Sequence, residues 1–282
     1  MLVITGANGQ LGQRMVHEVL KRKAASEVAV SVRDVSKAAA LAALGVRVRE
    51  GDFARPELLA KAFEGATRLL LVSSNARATG GDSVQQHRDV IAAAKQAGVE
   101  RVLYTSHMAA NANSRFKPMH DHAATEVLLA ESGLKWTSLR HGFYATSALR
   151  MIEEGLKTGV IEAPANGVVS WTAHDDLAAG AASIACDENV IDGCTPPMTG
   201  PEALDARALA KLVSLDYREV SDEAFRAKGI SFGLPPVVAD IFLGMHQASR
   251  HGEFAEVNPF LEQRIGRKPL TVEQLLRARS SR

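Results

Sequence analysis

The stretch Met119-His120-Asp121-His122-Ala123-Ala124-Thr125-Glu126 sets two histidines around an aspartate. Three kinds of chemistry fit such a group. Imidazole titrates at about 6.5 when unperturbed, so it can exchange protons near neutrality. Histidine and aspartate can ligate a metal, and an aspartate can also start a helix. The candidate proton-transfer groups are His122 first, then His107 and His141, with the Tyr144 hydroxyl as a further catalytic candidate. Spacing argues against a metal. On a helix, ligands share a face at i,i+3 or i,i+4, whereas His120 and His122 point to opposite sides. No metal is expected.

A second group binds rather than reacts. Gly6, Gly9 and Gly12 in "VITGANGQLG" follow an apolar run and open a periodic one. In that setting the first glycine allows a tight turn and the second lets backbone approach a pyrophosphate. The third lets the helix pack close to the strand. The helix N-terminus then offers free N–H groups and partial positive charge to phosphates. Arg33 in "SVRDVSK" stands where an acidic residue would bind a ribose 2′-hydroxyl, and its planar donors suit a 2′-phosphate instead. Asp34 follows it and leaves the choice between NADPH and NADH open. Asp52 and Phe53 in "EGDF" fall where adenine would lie. Ser73, Ser74 and Asn75 follow a fourth apolar run and Thr105 and Ser106 end a fifth, small polar residues at strand ends where ligands of open α/β sheets bind.

The elements that must position these residues are legible as alternation. Apolar runs at 2–5, 28–32, 46–50, 68–74, 101–106 and 135–140 read as strands. Between them lie helical faces, such as Leu11, Met15, Val19 and Leu20, or Val90, Ile91, Ala94 and Ala97. Pro56 opens a third helix where its missing N–H does no harm. This rhythm predicts βαβ units, hence an α/β fold with a Rossmann-type, doubly wound parallel sheet. Beyond residue 140 the spacing predicts helices at 146–157, 174–188 and 203–214 and a strand at 168–172. Residues 1–145, with 168–200 returning, are read as the dinucleotide-binding domain. Residues 146–167 and 201–282 are read as a smaller, partly helical C-terminal substrate lobe that frames a cleft with the sheet. The apolar segment 229–246 suits either a pocket cover or a subunit interface, so a homodimer is expected.

Composition sets bounds on function. The chain is 46% hydrophobic and 23% charged, ordinary globular values. A formal net charge of +1 gives no basic surplus to attract nucleic acid. No apolar run reaches the length of a membrane span, and no signal peptide is read. Cys186 and Cys194 match no zinc pattern and form no disulfide framework. Two reduced thiols in a cytoplasmic protein is the expectation.

The ordered set "TGANGQLG", "VRDVSKAAAL", "EGDF", "LLLVSS", "YTS", "HAATE" and "LRHGFY" resembles the NmrA-like branch of the atypical short-chain dehydrogenase/reductases. Within it, the bacterial NAD(P)H:quinone oxidoreductase type 2 and triphenylmethane reductase subgroup is nearest. The resemblance covers nearly the whole chain and is strongest over residues 1–145. It implies NADPH as cofactor, with NADH as the alternative, and hydride transfer to quinone-like or aromatic conjugated acceptors. It also implies that Gly6 through Gly12, with Asn8, Gln10 and Leu11, hold the pyrophosphate, that Arg33 meets the 2′-phosphate, and that Ser73, Ser74 and Asn75 line the cofactor. Leu139 through Tyr144, with His141, Gly142 and Phe143, would border the nicotinamide and the acceptor.

One departure stands out. Many short-chain dehydrogenases carry a tyrosine followed four residues later by a lysine, and in members with a following glutamate the lysine precedes it by four. Counted back from Glu126, His122 takes the lysine place and Pro118 the tyrosine place. The dyad is absent, and His122 either holds the cofactor ribose or donates a proton. The cofactor carries hydride chemistry itself, so an oxidoreductase without the dyad is the first reading. A non-catalytic NAD(P)-binding redox sensor of the NmrA type is the alternative.

Overall fold

The computed structural model describes residues 1–280. Along the chain, β1 (Leu2–Thr5), α1 (Gln10–Leu20), β2 (Val28–Val32), α2 (Ala39–Ala43), β3 (Arg47–Glu50), α3 (Leu59–Ala62), β4 (Arg68–Leu71), α4 (Ser83–Gln96) and β5 (Arg101–His107) alternate strictly. Then come α5 (Pro118–Glu131), β6 (Lys135–His141), β7 (Phe143–Tyr144), α6 (Ala145–Thr158), β8 (Val160–Pro164) and β9 (Trp171–Thr172). The last elements are α7 (His174–Ala185), β10 (Gly193–Cys194), α8 (Ala206–Leu212), β11 (Asp216–Val220), α9 (Asp222–Ser231), α10 (Pro236–Arg250), α11 (Phe260–Ile265) and α12 (Val272–Ser280).

The chain forms two compact units. The first takes Met1–Ser106, Asp121–Arg140 and His174–Pro196; the second takes His107–His120, His141–Ala173 and everything from Pro197 onward. Against the expected 1–145 and 168–200, residues 107–120, 141–145, 168–173 and 197–200 thus belong to the second unit. Aromatic rings pack together within that unit. His107, Phe116, Phe143 and Trp171 lie in those segments and gather with Phe254 at centroid distances of 5.0–5.9 Å.

In the first unit the strands line up as β10-β6-β5-β4-β1-β2-β3. Pairing is parallel from β1 to β2 and β4, from β2 to β3, from β4 to β5 and from β6 to β10. Strand order reverses between β1 and β4, the point where such sheets bind ligands. Central strands are buried on both faces, which is why β1 reads "LVIT" and β2 "VAVSV" without polar alternation. The edge strand β3 is half-exposed and reads "RVRE". Val3, Leu69, Leu71, Val102 and Tyr104 project to one face and pack with Leu59, Phe63, Val90, Ile91, Ala94 and Leu129 of α3, its following residue, α4 and α5. On the other face α1 buries Leu11, Met15, Val16 and Val19 and packs along the alanine-rich α7.

The second unit centres on Ala145, Ala148, Leu149 and Ile152, one face of α6, packed with Trp171, Leu209, Ala248 and Phe254. Two short parallel pairs accompany it, β8 with β11 and β7 with β9. The expected strand at 168–172 shrinks to Trp171–Thr172, because Val169 bridges instead to Leu204.

Candidate cofactor-binding site

The glycine loop has a stated need for each small residue. Gly6 sits at φ +61°, in the left-handed region, and its carbonyl accepts the Gly9 N–H at 2.9 Å. A Cβ on Gly12 would meet the Gly6 oxygen at 2.3 Å and Ala7 Cα at 2.9 Å, so only glycine lets α1 approach the loop. Gly9 is the extended N-cap of α1, has no side chain to cap the helix, and the first turn carries no acid. The first N–H groups of α1 are therefore left for an anion. Gly6, Gly9 and Gln10 are exposed, while Leu11 anchors the turn in the core. Asn8 donates to the Asp34 carbonyl at 3.3 Å, and its Oδ1 is buried without a hydrogen-bond partner, an acceptor suited to a ligand hydroxyl. The residues present fit a dinucleotide.

At the end of β2 the two charges separate in role. Asp34 caps the following turn: Oδ1 takes the Ser36 N–H at 3.0 Å and its hydroxyl at 2.5 Å, and Oδ2 lies 3.3 Å from Lys37 Nζ. These bonds, the Ser36 hydroxyl first, hold its carboxyl below the usual range. The carboxylate is committed locally, and Arg33 beside it is exposed. Asp52 likewise starts a turn, accepting the Ala54 N–H at 3.0 Å, and Phe53 packs partly against the first unit's core.

The strand ends are braced by threonines. Val72 N–H donates to Thr5 Oγ1 and Ser73 N–H to Thr105 Oγ1, both at 2.9 Å. β4 ends at Leu71 rather than at residue 74, because Thr5 and Thr105 hydroxyls replace the ladder there. Ser74 N–H donates to His87 Nε2 at 2.8 Å; His87 Nδ1 lies 2.8 Å from Thr125 Oγ1, which donates to the Asp121 carbonyl at 2.7 Å. Since Nε2 accepts, the His87 proton sits on Nδ1. Burial pushes the His87 pKa down to about 3, so the ring is neutral. Asn75 is exposed.

Helix α5 begins at Pro118, three residues before the helix start read at Asp121, because proline is preorganised for a first helical turn. Asp121 instead faces the Arg77 guanidinium, with Nε–Oδ2 at 2.6 Å and Nη2–Oδ1 at 2.5 Å. His122 Nδ1 lies 2.8 Å from the Tyr104 hydroxyl, and burial pushes its pKa down to about 4 against the opposing pull of Glu126 and Asp121. Ser106 and Ser138 donate to Glu126 Oε1 at 2.8 and 2.6 Å, and Arg140 donates to both carboxylate oxygens at 3.2 and 2.7 Å. Burial alone would raise the Glu126 pKa; the bonds from Arg140, Ser138 and Ser106 outweigh it and hold it low. Ser106, expected on the cofactor, thus spends its proton inside the protein.

In the second unit, His107 Nδ1 accepts the Ala109 N–H at 3.1 Å, and its ring packs edge-on against Phe143 and Phe254. His141 is fully buried, its carbonyl accepting Met108 N–H at 2.8 Å. Gly142 needs to be glycine for a protein neighbour: a Cβ would lie 2.3 Å from Thr172 Oγ1. Burial pushes the Tyr144 pKa up to about 12, so that phenol keeps its proton at neutral pH. His120 Nε2 lies 2.7 Å from the Ser114 carbonyl. Among the described residues, no three His, Cys, Asp or Glu side chains gather as metal ligands, and no helix is long and apolar enough to cross a membrane. Both cysteines are unpaired thiols.

His87, Tyr104, Thr125, Glu126 and Arg77 went unmarked as site residues in the sequence. For His87 a signal existed: it falls three, four and seven residues before Val90, Ile91 and Ala94, on the buried face of α4. A histidine on such a face needs partners for both nitrogens.

A sheet of this order with a glycine loop at its switch point defines a dinucleotide-binding Rossmann protein. The family model for NAD(P)H-binding proteins matches residues 6–184, and the chain belongs to that family, in its NmrA-like branch. Quinone oxidoreductase 2 of Escherichia coli is 34% identical over 281 residues, 97% of this chain and 96% of that protein. The crystal structure of the NADPH-dependent quinone oxidoreductase from E. coli in complex with NADPH superposes with a TM-score of 0.92 at 32% identity, covering 99% of this chain and 100% of that one. Triphenylmethane reductase of Citrobacter sp. complexed with NADP(H) gives 0.89 at 29%, covering 99% of each.

Proposed function

We propose that this chain is an NADPH-dependent oxidoreductase that delivers hydride to quinone-like or aromatic conjugated acceptors. The observation that carries the reading is the division of labour after β2, where Ser36 and Lys37 engage the Asp34 carboxylate and Arg33 is exposed beside the glycine loop. A carboxylate bonded by Ser36 and paired with Lys37 repels a 2′-phosphate less and has less capacity to claim a 2′-hydroxyl, and a guanidinium offers that phosphate two parallel donors. The similarity to quinone and triphenylmethane reductases supports the acceptor class.

Bound reduced nicotinamide supplies the hydride. The loop from Gly6 to Gly12 receives the pyrophosphate on backbone N–H groups, with Asn8, Gln10 and Leu11 shaping the turn. Ser73, Ser74 and Asn75 line the dinucleotide on a loop held by Thr105 and His87, and Asp52 and Phe53 border adenine. His122 is neutral at pH 7 by the shift given above, so it acts as a hydrogen-bonding group toward ribose rather than as an imidazolium acid. Protons for the reduced acceptor come from solvent. We assign the second unit to acceptor recognition, with the part-exposed ring of Phe143 as flat apolar surface. We further assign the exposed Phe232, Val237 and Phe242 to a homodimer interface, tested by analytical ultracentrifugation, and the protein to the cytoplasm, tested by fractionation.

The deciding experiment follows loss of reduced-nicotinamide absorbance with a panel of quinones and triarylmethane dyes. Acceptor-dependent oxidation with NADPH preferred over NADH is the expected result. NADPH binding without turnover on any acceptor would replace this reading with that of a redox-sensing binder.

A further inference from the structure

We propose that the turn Ser114–Phe116, latched by the Glu253 carboxylate, sets Phe116 beside Phe143 as the second ring of the acceptor site, so that the protein prefers fused-ring acceptors long enough to cover both. This rests on the oxidoreductase reading above and deepens it, naming what selects among aromatic acceptors. Phe116 touches the acceptor; Glu253 acts through the turn and is a positioning residue.

The latch holds three successive residues. One Glu253 carboxylate oxygen accepts the Ser114 hydroxyl, and the other accepts the Arg115 N–H at 3.1 Å. The Ser114 hydroxyl oxygen in turn accepts the Phe116 N–H at 3.0 Å, and the Ser114 carbonyl accepts from His120 Nε2 at 2.7 Å. Helix α10 backs the turn so closely at Gly244 that a Cβ there would lie 3.0 Å from the Arg115 carbonyl oxygen. Phe116 therefore has a fixed place.

That place is beside Phe143, with ring centroids 5.7 Å apart and planes tilted by 40°, and both rings are part-exposed. Phe254, the residue after Glu253, is fully buried and packs edge-on to both, at 5.9 and 5.0 Å. Sandwiching a planar acceptor takes rings about 7 Å apart, one carbon contact of roughly 3.5 Å on each side. At 5.7 Å the pair is too close for that, so an acceptor lies across the exposed parts of both rings. A single-ring quinone covers one of them, and a fused-ring quinone covers both. Trp171, buried and edge-on to Phe143 at 5.5 Å, is a built-in reporter of what binds there.

Trp136→Phe leaves Trp171 as the only tryptophan, and quenching of its emission reads acceptor binding with saturating NADP+, which has no hydride to give. Dimethylnaphthoquinone and duroquinone are the probes, since neither has an open quinone carbon for a thiol to attack. The naphthoquinone should bind about five- to tenfold more tightly, the worth of one further aromatic contact. Phe116→Leu, which keeps apolar volume, should remove that preference by weakening the naphthoquinone alone. Glu253→Ala should also remove it, and Glu253→Gln, whose amide oxygen still accepts, should restore most of it. Affinity for NADP+ should stay within about twofold in all three. A parent protein without the preference overturns the proposal, and so does Phe116→Leu that keeps it or weakens both quinones equally. If Glu253→Ala does not fold, Glu253→Gln and Phe116→Leu still decide. No hydride moves in these titrations, so the expected ratio without NADPH-driven turnover removes the oxidoreductase reading and leaves the site. Turnover without the ratio does the reverse.

Discussion

The Ser74 N–H ends on His87 Nε2, 2.8 Å away, so a loop assigned to the cofactor hangs on a histidine that must stay neutral. The sign of its pH effect follows. Folding lowers the His87 pKa from 6.5 to about 3, so the unfolded chain binds the proton first as pH falls. Its stabilising share is complete above about pH 6.5 and is lost progressively down to about pH 3. Urea denaturation should show about 2 kcal/mol lost between pH 7 and pH 5 through this residue alone. His122, His174 and His246, each lowered to about 4, add in the same direction. His87→Phe should cost about 1–3 kcal/mol at pH 7, leaving Ser74 N–H unpaired, and should flatten the slope. An unchanged slope in that variant counts against the assignment.

Glu126 sets a second acid limb. Its carboxyl is held below 4.5, so its contribution is present above that pH and lost as pH falls through the folded value. Glu126→Ala leaves two buried serine hydroxyls and Arg140 without their acceptor, and an unfolding loss of about 2–3 kcal/mol at pH 7 is expected, below the range for fully buried pairs because Arg140 keeps some solvent. Glu126→Gln should restore part of that stability and remove the steep loss below pH 4.5. Denaturation midpoints across pH 3–7 separate the two variants.

What the sequence made legible, and what it hid, divides by range of interaction. The glycine loop and central strands are local patterns: a left-handed Gly6 and doubly buried strands leave marks within ten residues. The anchoring of α5 is not local. Arg77 meets Asp121, Tyr104 meets His122, His87 meets Thr125, and Glu126 gathers Ser106, Ser138 and Arg140, across separations of 12–44 residues. No periodicity reports such pairings. Asp121 reads as a helix start because a carboxylate suits that position, yet its partner comes from the loop after β4. Gly142 was noticed as glycine, but its reason, Thr172 Oγ1, lies thirty residues on.

Arg33 governs the cofactor preference. With Asp34 engaged by Ser36 and Lys37, Arg33→Ser should weaken NADPH binding about 10- to 100-fold, the loss of a bidentate charged contact, and leave NADH within about twofold. Titrating each cofactor by fluorescence gives both constants. A parallel loss for NADH would assign Arg33 to a different part of the dinucleotide. Asp34→Asn should instead act through the turn, affecting both cofactors alike.

Gly12 tests the loop itself. An alanine Cβ would sit 2.3 Å from the Gly6 oxygen and 2.9 Å from Ala7 Cα, both backbone atoms that cannot swing aside. Relief requires α1 to move off the loop, against its packing along α7 and the burial of Met15, Val16 and Val19. Gly12→Ala should therefore cost about 1–3 kcal/mol, in the range of core overpacking. NADPH affinity should fall at least tenfold, because the helix N-terminus no longer meets the pyrophosphate at the loop's geometry. Gly98→Ala is a contrasting control: unlike Gly12 it has positive φ, at +76°, and no atom within 4 Å of its Cβ, so it carries conformational strain without collision. Its NADPH affinity should match the parent protein. If Gly12→Ala binds NADPH as the parent does, the phosphates are held elsewhere and the N-terminus of α1 is only a packing joint.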